Sequence, residues 1–432
     1  MNRLLKLSQN ETTSKVPVFV DISKDHLDYT IGLDAQSSRN EAGRISYRLQ
    51  DVSQWIETLV SAHNLDGPGQ LEFVCEPTGG LQHKLILLCK KHGSSLRFVD
   101  SERMYNARMI TYGNAEKTDS KDPGAMRNLY LLGKSRSSES VGVLRETVRA
   151  LSREYEDVSQ QAIGCRNRIH QLIGYVFPDY CKPTGFTFSR SGQALAKEFG
   201  FCPQRIVEVE YADFRRRLQT HVKGIRHHTT EELWQQAQRS VELTDAEFAD
   251  PRSEYLDHLY KQWIGLEERK KHLKTQLKAY GELFTQQGWL PRHLPPSVSQ
   301  WMLVRVVAES GPFTNFDHIR QLWAFLGLKL ACRQSGTFKG KIKITKKGSP
   351  LARKLLYQIC LSLVKSNGCM YDIYRKQNPN PKQKNNGQGI RAINVVMRKL
   401  VKVLLAMHRS GQEFDAQRLG CCQSQYRPKQ TG

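Results

Sequence analysis

Four carboxylates in the N-terminal third lie at the predicted tips of its strands and helices. Asp21 follows a Val-Phe-Val run, Glu76 ends the apolar run LEFVCE, and Asp119 and Asp122 lie three residues apart in KTDSKD. Carboxylates at strand ends and on a flanking helix can converge on one point, where they repel one another unless a divalent metal neutralises them. The pattern predicts a Mg²⁺ or Mn²⁺ site that positions a phosphodiester.

A simpler role is open for two of these residues. Asp119 or Asp122 could cap a helix, because Asp favours that position and Pro123 favours the first helical turn. Asp21 has no such alternative, since an ionisable group at the end of a buried strand needs a partner or a chemical role.

A serine in the C-terminal third could act as a nucleophile. Ser335 lies in the glycine-containing segment RQSGT, and cations there could compensate charge on a DNA phosphate. Ser-Gly alone is ordinary turn sequence. The predicted nucleic-acid-binding residues are Arg333, Lys339, Lys341, Lys343, Lys346, Lys347, Arg353 and Lys354.

The charge distribution supports a polyanionic partner for this third. The chain of 432 residues has a net charge of +23, yet residues 291–432 hold 25 basic and only 5 acidic residues. No acidic residue occurs between Asp317 and Asp372. A solvated surface normally mixes both signs, so we expect contact with nucleic acid rather than an anionic membrane.

The elements that would position the carboxylates are predicted to form an α/β domain over residues 14–135. Two short β-rich runs at 17–33 and a third at 44–50 predict a meander. Helices follow at 52–63, 81–92 and within 101–132, and strands at 71–76 and 96–99. This order is expected of a ribonuclease-H-like domain, although doubly wound folds begin similarly.

The middle segment, 136–290, is predicted to be helical. Apolar residues recur every three or four positions in 139–176 and 253–287. The two stretches could pair as an antiparallel coiled coil that serves as a linker, a spacer arm or an oligomerisation region, or they could pack into the core of one subunit. Residues 291–432 are predicted to form a basic, mainly α-helical domain with helices at 299–309, 317–328, 350–366 and 391–408.

Cysteine usage and hydropathy bear on the compartment. The ten cysteines form no C-x-x-C pair, which indicates free, buried thiols. No apolar run approaches the roughly 18 residues of a membrane span, and the N-terminus lacks a signal-peptide core. We expect a soluble cytoplasmic protein, associated with the nucleoid through DNA.

Several segments together resemble a known family. At the N-terminal end these are VFVDISKD (18–25), EPTGG (76–80) and KTDSKD (117–122). At the C-terminal end they are AESG (308–311), LWAFLGL (322–328), RQSG (333–336) and RKL (398–400). In this order they resemble the DEDD-type insertion-sequence transposases, serine recombinases with a ribonuclease-H-like domain whose well-studied members are guided by a bridge RNA.

The resemblance implies a role for each candidate residue. Asp21, Glu76, Asp119 and Asp122 would bind the metal, and Ser335 would form a covalent phosphoserine link to DNA. It also implies element ends and target DNA as partners, a guide RNA, and a homo-oligomer of two to four subunits in which the carboxylate site of one subunit works with the serine of another.

Three other functions are compatible with the residues. A metal-dependent junction resolvase or nuclease would use the carboxylates to activate water and would leave Ser335 as a turn residue. A DNA invertase of the same family would share the serine chemistry. A non-catalytic nucleic-acid-binding protein would need only the basic third.

Overall fold

The computed structural model describes residues 15–32, 41–77, 79–99, 101–112, 122–137, 142–244, 251–331, 334–335, 338–339, 343–365, 370–379, 387–415 and 419. The chain forms two compact units, Met1–Gly142 and Val143–Gly432. The predicted boundary at 135 lies close to this division, and the predicted boundary at 290 lies inside the second unit.

The first unit is built on a six-stranded mixed sheet. Its strands are β1 (Val16–Ile22), β2 (His26–Ile31), β3 (Ala42–Ser46), β4 (Leu71–Cys75), β5 (Ser95–Val99) and β6 (Ser135–Ser137). The order across the sheet is β3-β2-β1-β4-β5-β6. Strands β1 to β3 form an antiparallel meander, β1, β4 and β5 are parallel, and β6 is antiparallel to β5.

Four helices cover the two faces of this sheet. They are α1 (Leu49–Ala62), α2 (Gln82–His92), α3 (Ser101–Tyr112) and α4 (Asp122–Leu131). Because successive strand residues point to opposite faces, Val18 and Val20 pack with α1 and α2, whereas Phe19 packs with α3 and α4. The predicted meander and alternating elements are present, with β3 two residues earlier than expected at its start.

The second unit begins with a long helical pair. Helices α5 (Val143–Val176) and α11 (Arg252–Gln286) lie side by side and run antiparallel, since Glu154 contacts Arg269 and Cys165 contacts Gln262. Between them come α6 (Thr184–Thr187), α7 (Arg190–Phe199), α8 (Pro203–Val207), α9 (Tyr211–His221) and α10 (His227–Thr244).

The apolar stripes of the long pair are used within one chain. One half packs into a core with α7 to α10, which includes Ile169, Phe214 and Trp263. The other half contributes Val148 and Leu277 to the core of the C-terminal region. Core packing in one subunit, one of the two predicted roles, therefore accounts for these residues.

The C-terminal region packs three helices around a shared core. Its elements are α12 (Gln300–Ser310), α13 (Ile319–Phe325), β7 (Leu330–Ala331), β8 (Gln334–Ser335), β9 (Phe338–Lys339), β10 (Lys343–Ile344), α14 (Pro350–Leu363), α15 (Tyr371–Gln377) and α16 (Gln388–Ser410). Val304, Leu356 and Leu400 are fully buried where α12, α14 and α16 meet.

Two smaller expectations can be compared with the structure. No disulfide joins the cysteines that the structure describes, and all of them are buried except Cys181. None of the helices that the structure describes combines the length and hydropathy that a membrane span requires.

Candidate functional site

Two of the predicted carboxylates are placed side by side by strand register. Val20 of β1 pairs with Cys75 of β4 in a parallel ladder, so Asp21 and Glu76 follow at the same edge. Burial raises the pKa of the Cys75 thiol, and the charges of Cys89, Asp21 and Glu76 raise it further. The sheet therefore brings Asp21 and Glu76 into one electrostatic environment.

Asp122 joins this environment through an arginine. The Arg108 guanidinium donates Nε to one oxygen of Asp122 and Nη2 to the other, at 3.0 Å. The same Nη2 lies 3.5 Å from Glu76 Oε2. Asp122 is 0% exposed and Arg108 is 7% exposed. Glu76, Arg108 and Asp122 are named the Arg108 cluster below.

The helices of the first unit explain why Arg108 reaches two carboxylates. Arg108 lies on α3, on the face that also carries the buried Met104 and Ala107, and Asp122 is the first residue of α4, which packs against α3 and β1. A buried charge is tolerated when it is paired and hydrogen-bonded, which the bidentate contact provides.

The fit of this cluster to a divalent metal is incomplete. Carboxylate oxygens are suitable ligands for Mg²⁺. However, no group of three His, Cys, Asp or Glu side chains among the described residues is arranged to hold a metal ion. Arg108 contacts both Glu76 and Asp122, and its single positive charge offsets one of the two carboxylates. Asp119 lies outside the described residues, so the predicted set of four is represented by three.

Sequence reasoning missed Arg108 although a signal was present. In MYNARM the arginine falls four residues after Met104, at a position where an amphipathic helix places core residues. A cation at such a position needs a buried anion. Arg305, within the apolar run MLVRVVA, gives the same signal and is 1% exposed.

The candidate nucleophile lies in a short β-ribbon of the second unit. Ser335 ends β8 and pairs in antiparallel register with Phe338, the first residue of β9. Outside this pair, Ala331 of β7 pairs with Lys343 of β10. The ribbon therefore presents Ser335 at the inner end of two nested antiparallel pairs.

The structure describes only some of the predicted DNA-binding residues. Arg333 and Lys341 lie outside the described residues, and for Lys339 and Lys343 the structure describes the backbone. Lys346 and Lys347 are exposed, in the loop between β10 and α14. The remaining two lie at the start of α14: the Arg353 guanidinium donates to the Lys346 carbonyl at 3.1 Å, and Lys354 forms an ion pair with Glu156 of α5.

A glycine fixes the loop that carries Lys346 and Lys347. Gly348 has a φ of +128°, and a Cβ at this position would lie 2.1 Å from the carbonyl oxygen of Phe325. Only glycine allows this approach, in which the backbone N–H of Ser349 donates to the same carbonyl at 3.1 Å. Ser349 Oγ then caps α14 by accepting from the Ala352 N–H.

A buried carboxylate of this unit, Glu309, is paired with arginines of the same unit. Glu309 of α12 is 4% exposed and accepts two hydrogen bonds from Arg153 of α5, at 3.0 and 3.3 Å. Arg149 lies 3.6 Å from the same carboxylate, and Ser349 Oγ donates to it at 3.4 Å. These contacts tie α5, α12 and the start of α14 together, so the Ala-Glu-Ser-Gly segment has a structural role.

One comparison with known proteins gives a match. Residues 295–375 match the model of the Transposase IS116/IS110/IS902 family. The matched segment runs from the loop before α12 to α15 and includes Glu309, the β-ribbon with Ser335, and the loop with Lys346 and Lys347. No curated protein matches the chain. The family match supports an insertion-sequence transposase, and hence an enzyme that binds DNA and acts in DNA recombination.

Proposed function

We propose that this protein is a DNA transposase or site-specific recombinase that cleaves and rejoins strands through Ser335. The observation that carries the proposal is the coincidence of the matched segment with the most basic part of the chain. Residues 295–375 contain Ser335 and all eight predicted DNA-binding residues, and no acidic residue lies between Asp317 and Asp372.

The proposed chemistry is a reversible exchange of phosphoesters. The Ser335 hydroxyl oxygen attacks a DNA phosphorus, its proton leaves, and the displaced deoxyribose oxygen takes up a proton. Attack by the hydroxyl of another strand then restores the phosphodiester and frees the serine. Because one ester replaces another at each step, rejoining needs no external energy source. Nearby cations would stabilise the charge that develops on the phosphate.

The first unit would supply a ribonuclease-H-like carboxylate site. Its strand order, with a three-stranded meander followed by parallel β4 and β5, is the order expected of that fold. Asp21, Glu76, Asp119 and Asp122 would bind Mg²⁺ through oxygen ligands, provided that Arg108 releases Glu76 and Asp122. Guide RNA and assembly into dimers or tetramers are part of the same proposal, because the resemblance implies both.

The decisive experiment tests the covalent link. The chain is incubated with DNA carrying the element ends, and protein-linked DNA is detected after denaturation. Ser335→Ala should abolish the adduct and recombination, because no other group would receive the phosphate. Ser362→Ala, a serine of α14 in the same region, serves as the matched control and should retain both.

The products distinguish the proposal from its alternatives. Hydrolysed ends without protein-linked DNA in the wild-type reaction would indicate a metal-dependent nuclease, and Ser335→Ala would then retain cleavage. Full activity in a protein with both Asp21→Asn and Glu76→Gln would remove the carboxylates from the mechanism. Sequencing of RNA that co-purifies with the protein and its flanking DNA tests the guide RNA.

A further inference from the structure

An open groove lies beside the β-ribbon in the C-terminal region. Helices α14 and α16 and the outer strands β7 and β10 enclose a volume of about 650 Å³. Its apolar lining, called the floor below, includes Leu330, Ile344, Tyr357, Ile390 and Val395. Ile390 is 63% exposed and Val395 is 37% exposed, so this apolar surface is open to solvent among the described residues.

The charged residues that line the groove, called the rim below, are all cations. They are Lys346, Arg353, Lys354, Arg391 and Arg398, and no Asp or Glu is found among the described lining residues. Lys354 is engaged by Glu156, whereas Lys346 and Arg391 are exposed. An apolar floor with a purely cationic rim is complementary to a ligand that is flat and apolar at its centre and anionic at its edges.

Arg398 is a rim residue whose guanidinium is held in a fixed orientation. Its guanidinium stacks over the Trp323 ring at 4.1 Å from the centroid, and Trp323 Nε1 donates to the Arg398 carbonyl at 3.3 Å. Burial lowers the pKa of Arg398, and its Nε has no hydrogen-bond partner among the described residues. A guanidinium held by stacking is already oriented, so it can contact a bound group at low entropic cost.

We propose that this groove binds an unpaired nucleotide of a DNA strand, with the base on the apolar floor and the neighbouring phosphates on the cationic rim. A base has a planar apolar face, and its backbone supplies anions on both sides. An apolar protein segment would leave the cations unmatched, and a phosphate alone would leave the floor uncovered. The inference rests on the proposed function, because strand exchange between two duplexes requires bases to leave their original partners.

Binding to matched DNAs tests the groove. Three duplexes of one sequence are compared: fully paired, with one unpaired 2-aminopurine, and with an abasic residue at that position. Wild-type protein should bind the unpaired base about tenfold more tightly than the abasic site, as expected for stacking of one base. The 2-aminopurine fluorescence should fall on binding.

Exposure-matched variants locate the site. The double variant Ile390→Asn/Val395→Asn removes two apolar groups of the floor without adding charge, and it should lose most of the tenfold preference. The control is Leu243→Asn/Leu361→Asn, in which the residues are 70% and 42% exposed and lie outside the groove lining. This control should keep the preference, and both variants should bind the paired duplex as the wild type does.

The possible results test the base-binding groove and the proposed function separately. Equal wild-type affinity for the unpaired base and the abasic site would overturn the groove as a base site, with duplex binding still supporting the proposed function. A full preference in Ile390→Asn/Val395→Asn would place base binding elsewhere. Absence of duplex binding by the wild type would overturn the proposed function itself. Unfolding midpoints of both variants verify that they are folded, and Tyr357→Phe/Ile390→Asn provides a second test if the first variant is not.

Discussion

Charge is used in opposite ways in the Arg108 cluster and in the groove of the C-terminal region. In the cluster, one arginine satisfies two carboxylates and is almost fully buried. In the groove, five cations line an apolar floor without a carboxylate among the described lining residues. The environment of an arginine, rather than its presence, therefore decides whether it holds the fold together or is available to a ligand.

Burial is the physical basis of the difference. A buried ion requires a partner because desolvation costs several kcal/mol, whereas an exposed cation keeps its hydration and contributes little to folding. The second unit also contains a buried ion that is paired. Its Glu309 is buried and forms ion pairs with Arg149 and Arg153. Substitutions in closed clusters should therefore change stability, and substitutions on the open rim should change binding.

The largest effect is expected from Asp122→Asn. The change removes the bidentate charge partner of Arg108 and leaves the buried guanidinium with only its longer contact to Glu76, which should lower the free energy of unfolding by up to about 3–5 kcal/mol. Chemical denaturation measures this. Asp66→Asn, an exposed carboxylate of the same unit, is the control and should change it by less than about 0.5 kcal/mol.

A double variant identifies the cause. Asp122→Asn combined with Arg108→Met removes both charges, so it should recover part of the loss even though Glu76 then lacks its cation. If the double variant is as unstable as the sum of the single variants, the ion pair is not the source of the loss, and the description of the cluster as closed fails.

Mn²⁺ should distinguish a closed carboxylate cluster from a latent metal site. In Arg108→Gln the carboxylates lose their internal cation, so Mn²⁺ at a hundredfold excess over its dissociation constant should stabilise the variant by about 2.7 kcal/mol. The wild type should gain less, because Arg108 competes with the ion. Thermal unfolding with and without Mn²⁺ measures both gains.

The control for the metal experiment is a neighbouring exposed arginine. Arg103→Gln, on the same helix, should gain no more from Mn²⁺ than the wild type does. An equal gain in all three proteins would show that Arg108 and the ion do not compete, and would separate the carboxylates from the metal chemistry of the proposed function.

Substitution of an exposed rim residue should change the affinity for DNA rather than the free energy of unfolding. Arg391→Gln should weaken binding to duplex DNA about fivefold and reduce the slope of log K against log salt concentration by about 0.9, because one phosphate contact is lost. Its free energy of unfolding should stay within about 0.5 kcal/mol of the wild type. Arg190→Gln, an exposed arginine at the start of α7, is the matched control and should leave both binding and slope unchanged.

The sequence predicts the strands and long helices because their apolar periodicity is local. The run at 18–20 and the stripe with Leu256 and Trp263 both occupy cores, as their spacing requires. The contact of Arg108 with Glu76 and Asp122 joins residues up to 32 positions apart through three elements, and no local pattern encodes such a meeting. The groove likewise arises only when α14 and α16 pack, so local sequence patterns do not predict it.

The smallest effect is expected in the pH dependence of stability, and it concerns His408, a partly buried group of the second unit. Burial lowers the pKa of His408, although a hydrogen bond with the Gly288 backbone opposes this. The folded chain therefore binds that proton less tightly than the unfolded chain, so the contribution of His408 to stability is complete above pH 6.5 and is lost as the pH falls below it. His408→Gln should make the unfolding midpoint less dependent on pH between 7 and about 5.5. Arg391→Gln, on the open rim of the same helix, should show the wild-type dependence, and a flattened profile in that variant would contradict the division between closed and open charges.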